Sequence, residues 1–222
     1  MDLIEAINKR HAVRHYDGMP IKQEHKEKLN EFIKQMNNES KLNMQLVVFE
    51  PKAFNGGKAA RCNFTGCVNY LAIVGPKSKS LKEKAGYYGE KVVLKAQQLG
   101  LNSCWVLLTF NKVKGAYQVA KDEKLVCVVA LGYGTTQGKP HNSKMFAQVC
   151  KDRSKLPDWF IKGVELALLA PTGVNQQGFK FKLLKNNVVK LTNHSLCNKI
   201  DVGILKYHFE LGAGHNKFTW YK

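Results

Sequence analysis

Of the 35 lysines and arginines in the chain only four are arginine, and two of these, Arg10 and Arg14, share the stretch KRHAVRHY at residues 9–16. A guanidinium is planar, permanently charged and forked, so it grips a phosphate at two points where a lysine offers one. With His11 between them, Arg10 and Arg14 can wrap a terminal phosphate monoester; the alternative is a pair of surface arginines bridged to Asp17 or Glu24. A second stretch, APTGVNQQGF at 170–179, holds a hydroxyl (Thr172), a glycine (Gly173) and the amides of Asn175 and Gln177. Pro171 blocks continuation of a helix and Phe179 opens a strand. These groups can hydrogen-bond the polar edge of a flat heterocycle while Gly173 allows close backbone approach. The same residues also make an ordinary helix-to-strand turn.

The elements that must position these stretches read from periodicity and punctuation. Residues 2–9 form a short helix with Asp2 as N-cap. Leu29, Phe32, Ile33 and Met36 recur at helical spacing, which predicts an amphipathic helix over 22–38. QLVVFE and VNYLAIVG read as strands, the second central in a sheet. A helix follows from Lys82 to Leu99, stopped by Gly100, then the strand SCWVLLTF, a short helix over 112–121, the buried strand KLVCVVALGYG and a polar loop, GTTQGKPHNSK. Beyond Arg153 the series restarts: a helix opened by Pro157, strands FKFKLL and VVKLT, a helix with Ile200, Ile204, Tyr207 and Leu211 on one face, and the aromatic strand KFTWYK. The pattern predicts an α+β (layered α/β) fold, a mixed sheet flanked by helices. Two short echoes, LNMQLVVF with VNQQGFKF and VLKAQQLG…CW with ILKYHFELG…TW, point to a duplicated set of elements. The chain is read as one domain, 1–222, with sub-lobes 1–150 and 155–222.

Composition narrows the function classes. A net charge of +18 invites a nucleic-acid reading, but the basic residues are spread along the whole length and no helix-turn-helix or RNP-like stretch occurs. The expectation is a solvated lysine surface with no specific nucleic-acid partner, whose positive field attracts small anions, nucleotides included. The six cysteines lack a CxxC pair, so reduced thiols are expected rather than a metal site. Asp2 and Glu5 interrupt the opening segment and the apolar run Leu125–Leu131 is too short to span a bilayer. A cytoplasmic protein without membrane attachment is the reading. His208 in KYHFELGAG, with Glu210 beside it, reads as structural rather than as a proton donor, and the Tyr87–Tyr88 pair as packing.

Taken together, Arg10-His11-Ala12-Val13-Arg14-His15-Tyr16 and Pro171-Thr172-Gly173-Val174-Asn175-Gln176-Gln177 resemble the two signatures of the flavin-dependent nitroreductase family, R-[RH]-S-x-[RK]-x-[FY] and P-[ST]-x-x-N-x-Q-P-W. The resemblance extends through KAQQLGLNSCWV and ALGYG…GKPHNSK, and so touches almost the whole chain. It implies the nitroreductase fold and flavin mononucleotide (FMN) as cofactor. Arg10, His11, Ala12 and Arg14, with Lys139 or Lys144, would lie at its phosphate; Pro171, Thr172, Gly173, Asn175 and Gln177 would line its ring. It also implies an oxidoreductase that takes electrons from NADH or NADPH and reduces nitroaromatic, quinone or related small-molecule acceptors by a ping-pong mechanism, the flavin rather than a side chain carrying the chemistry.

The sequence departs from the family pattern at three places. The ring-lining motif lies at 171–177 instead of after the second helix, where only Asn43 and Gln45 remain; Val106-Leu107-Leu108 replaces a glycine-containing strand; and Ala12 replaces a serine. The displaced motif matches a divergent branch of nitroreductases and implies a pseudo-dimeric monomer, with a homodimer as the alternative. A non-catalytic FMN-binding protein for storage or sensing and a basic nucleic-acid-binding protein are the rival functions.

Overall fold

The computed structural model describes residues 1–221. Its contacts divide the chain into two compact units, Met1–Pro140 and His141–Lys222, so the division falls at Pro140 and His141 rather than in the 150–155 stretch read from the sequence.

The first unit opens with α1 (Leu3–Lys9), whose orphan amides are met as expected: Asp2 Oδ1 accepts from the Glu5 N–H at 2.8 Å. Helix α2 (Gln23–Ser40) buries Leu29, Ile33 and Met36 and ends on Lys41 in the left-handed region. Strands β1 (Asn43–Val47), β2 (Asn69–Pro76), β3 (Asn102–Val106) and β4 (Glu123–Gly132) form an antiparallel sheet in the order β1-β2-β4-β3. Strand β2 is covered on both faces, which is why its sequence is apolar without alternation. Helix α3 (Leu81–Gln98) lies on one face. Its Gly89 allows that approach, because a Cβ there would stand 2.6 Å from the Trp105 ring and 2.7 Å from Ile73. The opposite face, bearing Tyr70, Ala72, Val106, Val128 and Ala130, is covered by irregular chain carrying Phe54, Phe64, Phe110 and Tyr117.

Two expectations fail here. The strand read over SCWVLLTF stops at Val106, and the helix read over 112–121 does not form. Beyond Val106 the chain leaves the sheet, and Phe110, Val113, Ala116 and Tyr117 pack over its face. Their spacing of about one helical turn imitates a helix, while burial against the sheet fixes an irregular path.

The second unit contains α4 (Phe146–Val149), a turn with no clear sequence signal, then α5 (Asp158–Ala167) with Pro157 at its N-cap. Strands β5 (Phe179–Leu183) and β6 (Val188–Asn193) pair antiparallel, and β7 (Thr219–Trp220) joins β6 in parallel after α6 (Asn198–Ala213). An aromatic core holds α6 to the hairpin: Phe209 stacks on Phe181 with centroids 5.0 Å apart and meets Phe160 edge-on at 5.5 Å. The mixed sheet read from the sequence is therefore present in this unit, whereas the larger sheet is purely antiparallel. Both units run helix, strand, strand, helix, strand in chain order (α2-β1-β2-α3-β3 and α5-β5-β6-α6-β7), and in each the two helices pack on one another. In each unit a tryptophan on the closing strand donates its indole N–H to a glutamate of the preceding helix: Trp105 to Glu90 and Trp220 to Glu210, both at 2.8 Å. Among the described residues no helix is long and apolar enough to cross a membrane.

Candidate functional site

In the first unit the stretch after α1 runs extended between three neighbours that lock its backbone. The Val13 N–H donates to the Ser103 carbonyl of β3 at 3.0 Å. The Thr65 N–H donates to Arg14 O at 3.0 Å, and Tyr16 N–H returns to Thr65 O at 2.8 Å. On the third side, Asp17 N–H reaches Tyr133 O and Thr135 N–H reaches His15 O, at 3.0 and 2.9 Å. Val13 and Tyr16 enter the core while Ala12, Arg14 and His15 face solvent. Gly138 (φ +72°) is required where it stands, since a Cβ there would lie 2.9 Å from His11 Cβ and 3.1 Å from Ala12 O. That contact draws the loop bearing the exposed Lys139 against His11 and Ala12.

The two arginines are placed differently. Arg14 is exposed, whereas Arg10 is buried, with its Nε 3.8 Å from Glu90 Oε1. Glu90 is itself inaccessible and takes the Trp105 indole N–H on its other oxygen. The Arg10 Nε–H has no hydrogen-bond partner, an uncommon condition for a buried donor. Burial raises the Cys104 thiol above its ordinary range, and the charges of Arg14 and then Arg10 pull it back. Both guanidinium charges thus act on Cys104, the middle residue of β3. The exposed Arg14 fork, the half-buried His11 and the exposed Lys139 are groups that could supply the donors and positive charge a phosphate needs.

In the second unit the residues of the 171–177 stretch are drawn together, but largely by one another. Gln177 is buried and fully engaged. Its Nε2 donates to Asn142 O at 2.7 Å and Asn175 Oδ1 at 2.9 Å, its Oε1 accepts Lys144 N–H at 2.8 Å, and its carbonyl accepts Lys144 Nζ at 2.7 Å. Lys144 therefore shapes this loop, while Lys139 lies on the loop against His11. Thr172 Oγ1 accepts the Gln177 N–H at 3.1 Å, and Asn175 Nδ2 donates to Asn142 O at 3.2 Å. Val174, Asn175 and Gln177 all have positive φ (46°, 55° and 45°), a costly conformation for a β-branched valine. Half-buried Pro171 leads into the loop, and Val174 at its tip is 86% exposed.

The loop is pinned at its base by Asp201. The Gly173 N–H donates to Asp201 Oδ1 at 3.1 Å and Ser195 Oγ–H to Oδ2 at 2.7 Å, and burial raises the Asp201 carboxyl although these bonds oppose it. The Leu196 N–H reaches Gln176 Oε1 at 2.9 Å. The carried-over residues thus fall into two groups: Arg10, His11, Ala12, Arg14 and Lys139 in the first unit, Lys144, Pro171, Thr172, Gly173, Asn175 and Gln177 in the second.

Other residues singled out by the sequence resolve simply. Asn43 Nδ2 donates to Glu123 at 3.0 Å, and Gln45 exchanges two 2.8 Å bonds with the Gln118 backbone, so both stitch the edge strand β1. His208 is inaccessible, with Nδ1 3.2 Å from Leu166 O. Tyr87 and Tyr88 meet edge-on at 5.2 Å, and Lys91 lies over both rings. Sequence reasoning missed Glu90 and Asp201. Glu90 did carry a signal, an acid on the helix face otherwise formed by Gly86, Gly89, Val93 and Ala96; Asp201, in a first helical turn, looked like an ordinary helix-end acid.

The architecture is that of an α+β protein with an antiparallel sheet flanked by helices. A family profile described as "Putative TM nitroreductase" matches residues 2–213, and the chain belongs to that family. Among solved structures, a putative nitroreductase of Thermotoga maritima is similar over 96% of this chain and 83% of its own, with 21% identity and a TM-score of 0.69. A nitroreductase family protein of Streptococcus pneumoniae overlaps 68% of this chain and all of its own (100%), with 14% identity and a TM-score of 0.53. No curated protein matches the sequence.

Proposed function

We propose that the protein is an FMN-dependent NAD(P)H oxidoreductase of nitroreductase type, acting on nitroaromatic, quinone or related small-molecule acceptors. The observation that carries this reading is the backbone-locked segment that holds Arg10 and Arg14 beside β3, with both charges acting on Cys104, one guanidinium exposed and the other buried against Glu90. Membership of the nitroreductase family supports it. Arg14, His11 and Lys139 would hold the phosphate of FMN. Arg10, held through its Nε by Glu90, would add positive charge behind the phosphate and secure the end of α1. Pro171, Thr172, Gly173 and Asn175 would border the ring, with Gln177 and Lys144 keeping that loop in shape from within. Bound FMN supplies two-electron redox chemistry between a reduced nicotinamide and the acceptor, so no side chain is needed as nucleophile. The protein's share is to fix orientation and to place fixed dipoles and charges where the cofactor's charge changes.

The test is FMN binding by Arg14→Ala and Arg14→Lys. Loss of the exposed fork should weaken FMN binding by about 1.5–3 kcal/mol, the range for a charged hydrogen bond. Lysine should restore charge without the two-point grip. Riboflavin, which lacks the phosphate, should be indifferent to both changes. Unaltered FMN affinity in Arg14→Ala removes the assignment. Parallel double-reciprocal lines with NADH or NADPH and an acceptor are expected of the loaded protein, whereas binding without turnover favours the storage or sensing role.

A further inference from the structure

Strands β5 and β6 turn Phe179, Phe181 and Val189 into the core, which leaves Lys180, Lys182, Lys190 and Thr192 together on the other face of the hairpin. The register sets Lys182 directly across from Lys190 and Lys180 across from Thr192. Like charges directly opposed in an antiparallel pair are unfavourable. This face is the floor of a cavity of about 680 Å3, the size class of small-molecule sites. Its facing wall, the chain from Ala147 to Leu156, adds Lys151 and Lys155, so five lysines line the cavity against one carboxylate, Asp152. None of the five is in an ion pair among the described residues, and Lys190 Nζ lies 4.8 Å over the Tyr221 ring. Val149 and Leu156 of the facing wall, with Phe181 and Leu183 of β5, supply apolar lining.

We propose that this cavity binds an organic anion with an apolar body: an aryl or acyl carboxylate, sulfonate or phosphate monoester. The arrangement answers to both halves of such a ligand. Its charged head offsets the Lys182–Lys190 repulsion, and its body covers the apolar wall and the lysine stems. The site lies wholly within the second unit, shares no residue with the flavin assignment, and does not depend on it.

The experiment is a fluorescence titration of the full chain with 1-anilinonaphthalene-8-sulfonate, in the presence of excess FMN so that a flavin site does not contribute. Lys182→Gln and Lys190→Gln should each weaken the probe about two- to fivefold, as for a partly exposed charge contact. Neither should lower the melting temperature, since each relieves a like-charge pair. Lys155→Gln, on the opposite wall and outside the sheet, should weaken the probe as well. The uncharged N-phenyl-1-naphthylamine should bind more weakly and ignore all three substitutions. Probe affinity unchanged in the Lys182→Gln, Lys190→Gln double variant overturns the proposal, as does equal affinity for the uncharged analogue. Displacement by inorganic phosphate as effective as by an aryl sulfonate overturns the apolar half, and displacement only by a DNA oligomer would reassign the lysines to a polyanion surface.

Discussion

Replacing Asp201 tests the base of the 171–177 loop most directly. The side chain is 2% exposed and accepts hydrogen bonds from Gly173 N–H and Ser195 Oγ–H. In Asp201→Ala these donors, and the Asn193 side chain that also bonds the carboxylate, lose their acceptor; at about 1–3 kcal/mol for each buried group left unsatisfied, the cost should be at least about 3 kcal/mol. Asp201→Asn keeps an acceptor for Gly173, and the Ser195 hydroxyl can rotate to accept from the new amide, so it should cost much less than Asp201→Ala at neutral pH. The pH dependence separates the two substitutions further. Burial raises the carboxyl in the folded state, so the native protein binds a proton more readily than the unfolded chain. Stability from this group is therefore fully present below the ordinary aspartate pKa and is lost as pH rises through the raised folded value. Denaturant melts of wild type and Asp201→Asn across acid to neutral pH should show wild type gaining on the variant as pH falls. Asp201→Ala as stable as wild type, or a wild-type advantage that grows with rising pH, would refute the reasoning.

Three further outcomes are expected. Glu90→Ala should cost about 3–5 kcal/mol in chemical denaturation, because it leaves the Arg10 guanidinium buried without its carboxylate; a variant unfolding with the wild-type midpoint would show that the pair is idle. Gly173→Ala should lose about 1–3 kcal/mol, since the new Cβ would stand 2.5 Å from Cys197 Sγ, and the Cys197→Ala background should recover part of that loss. Val174→Gly should raise stability by about 1 kcal/mol by relieving a left-handed valine whose side chain is exposed; if the loop serves a ring, flavin affinity or reduction potential should change at the same time.

Much of the architecture is legible in the sequence because its causes are local. The Asp2 cap, the Leu29–Ile33–Met36 stripe, the Pro157 start and the unbroken apolar run of β2 each follow from residues a few positions apart, and each element lies within a residue or two of its expected place. The two basic and polar stretches were equally visible, because guanidinium forks and proline–glycine–amide turns are marked by residue type alone. What tertiary structure decided is the side chains' employment. Arg10 and Arg14 look equivalent four residues apart, yet one is drawn inward by a carboxylate eighty positions away and the other is left in solvent. Gln177 and Lys144 read as ligand donors, but spend their hydrogen bonds holding a left-handed loop, a choice fixed by Asn142 and Asn175. Residues 107–121 carry strand-like and helix-like patterns that burial against the sheet overrides. Local chemistry sets what a residue can do; the partner that uses it comes from a part of the chain that only folding brings near.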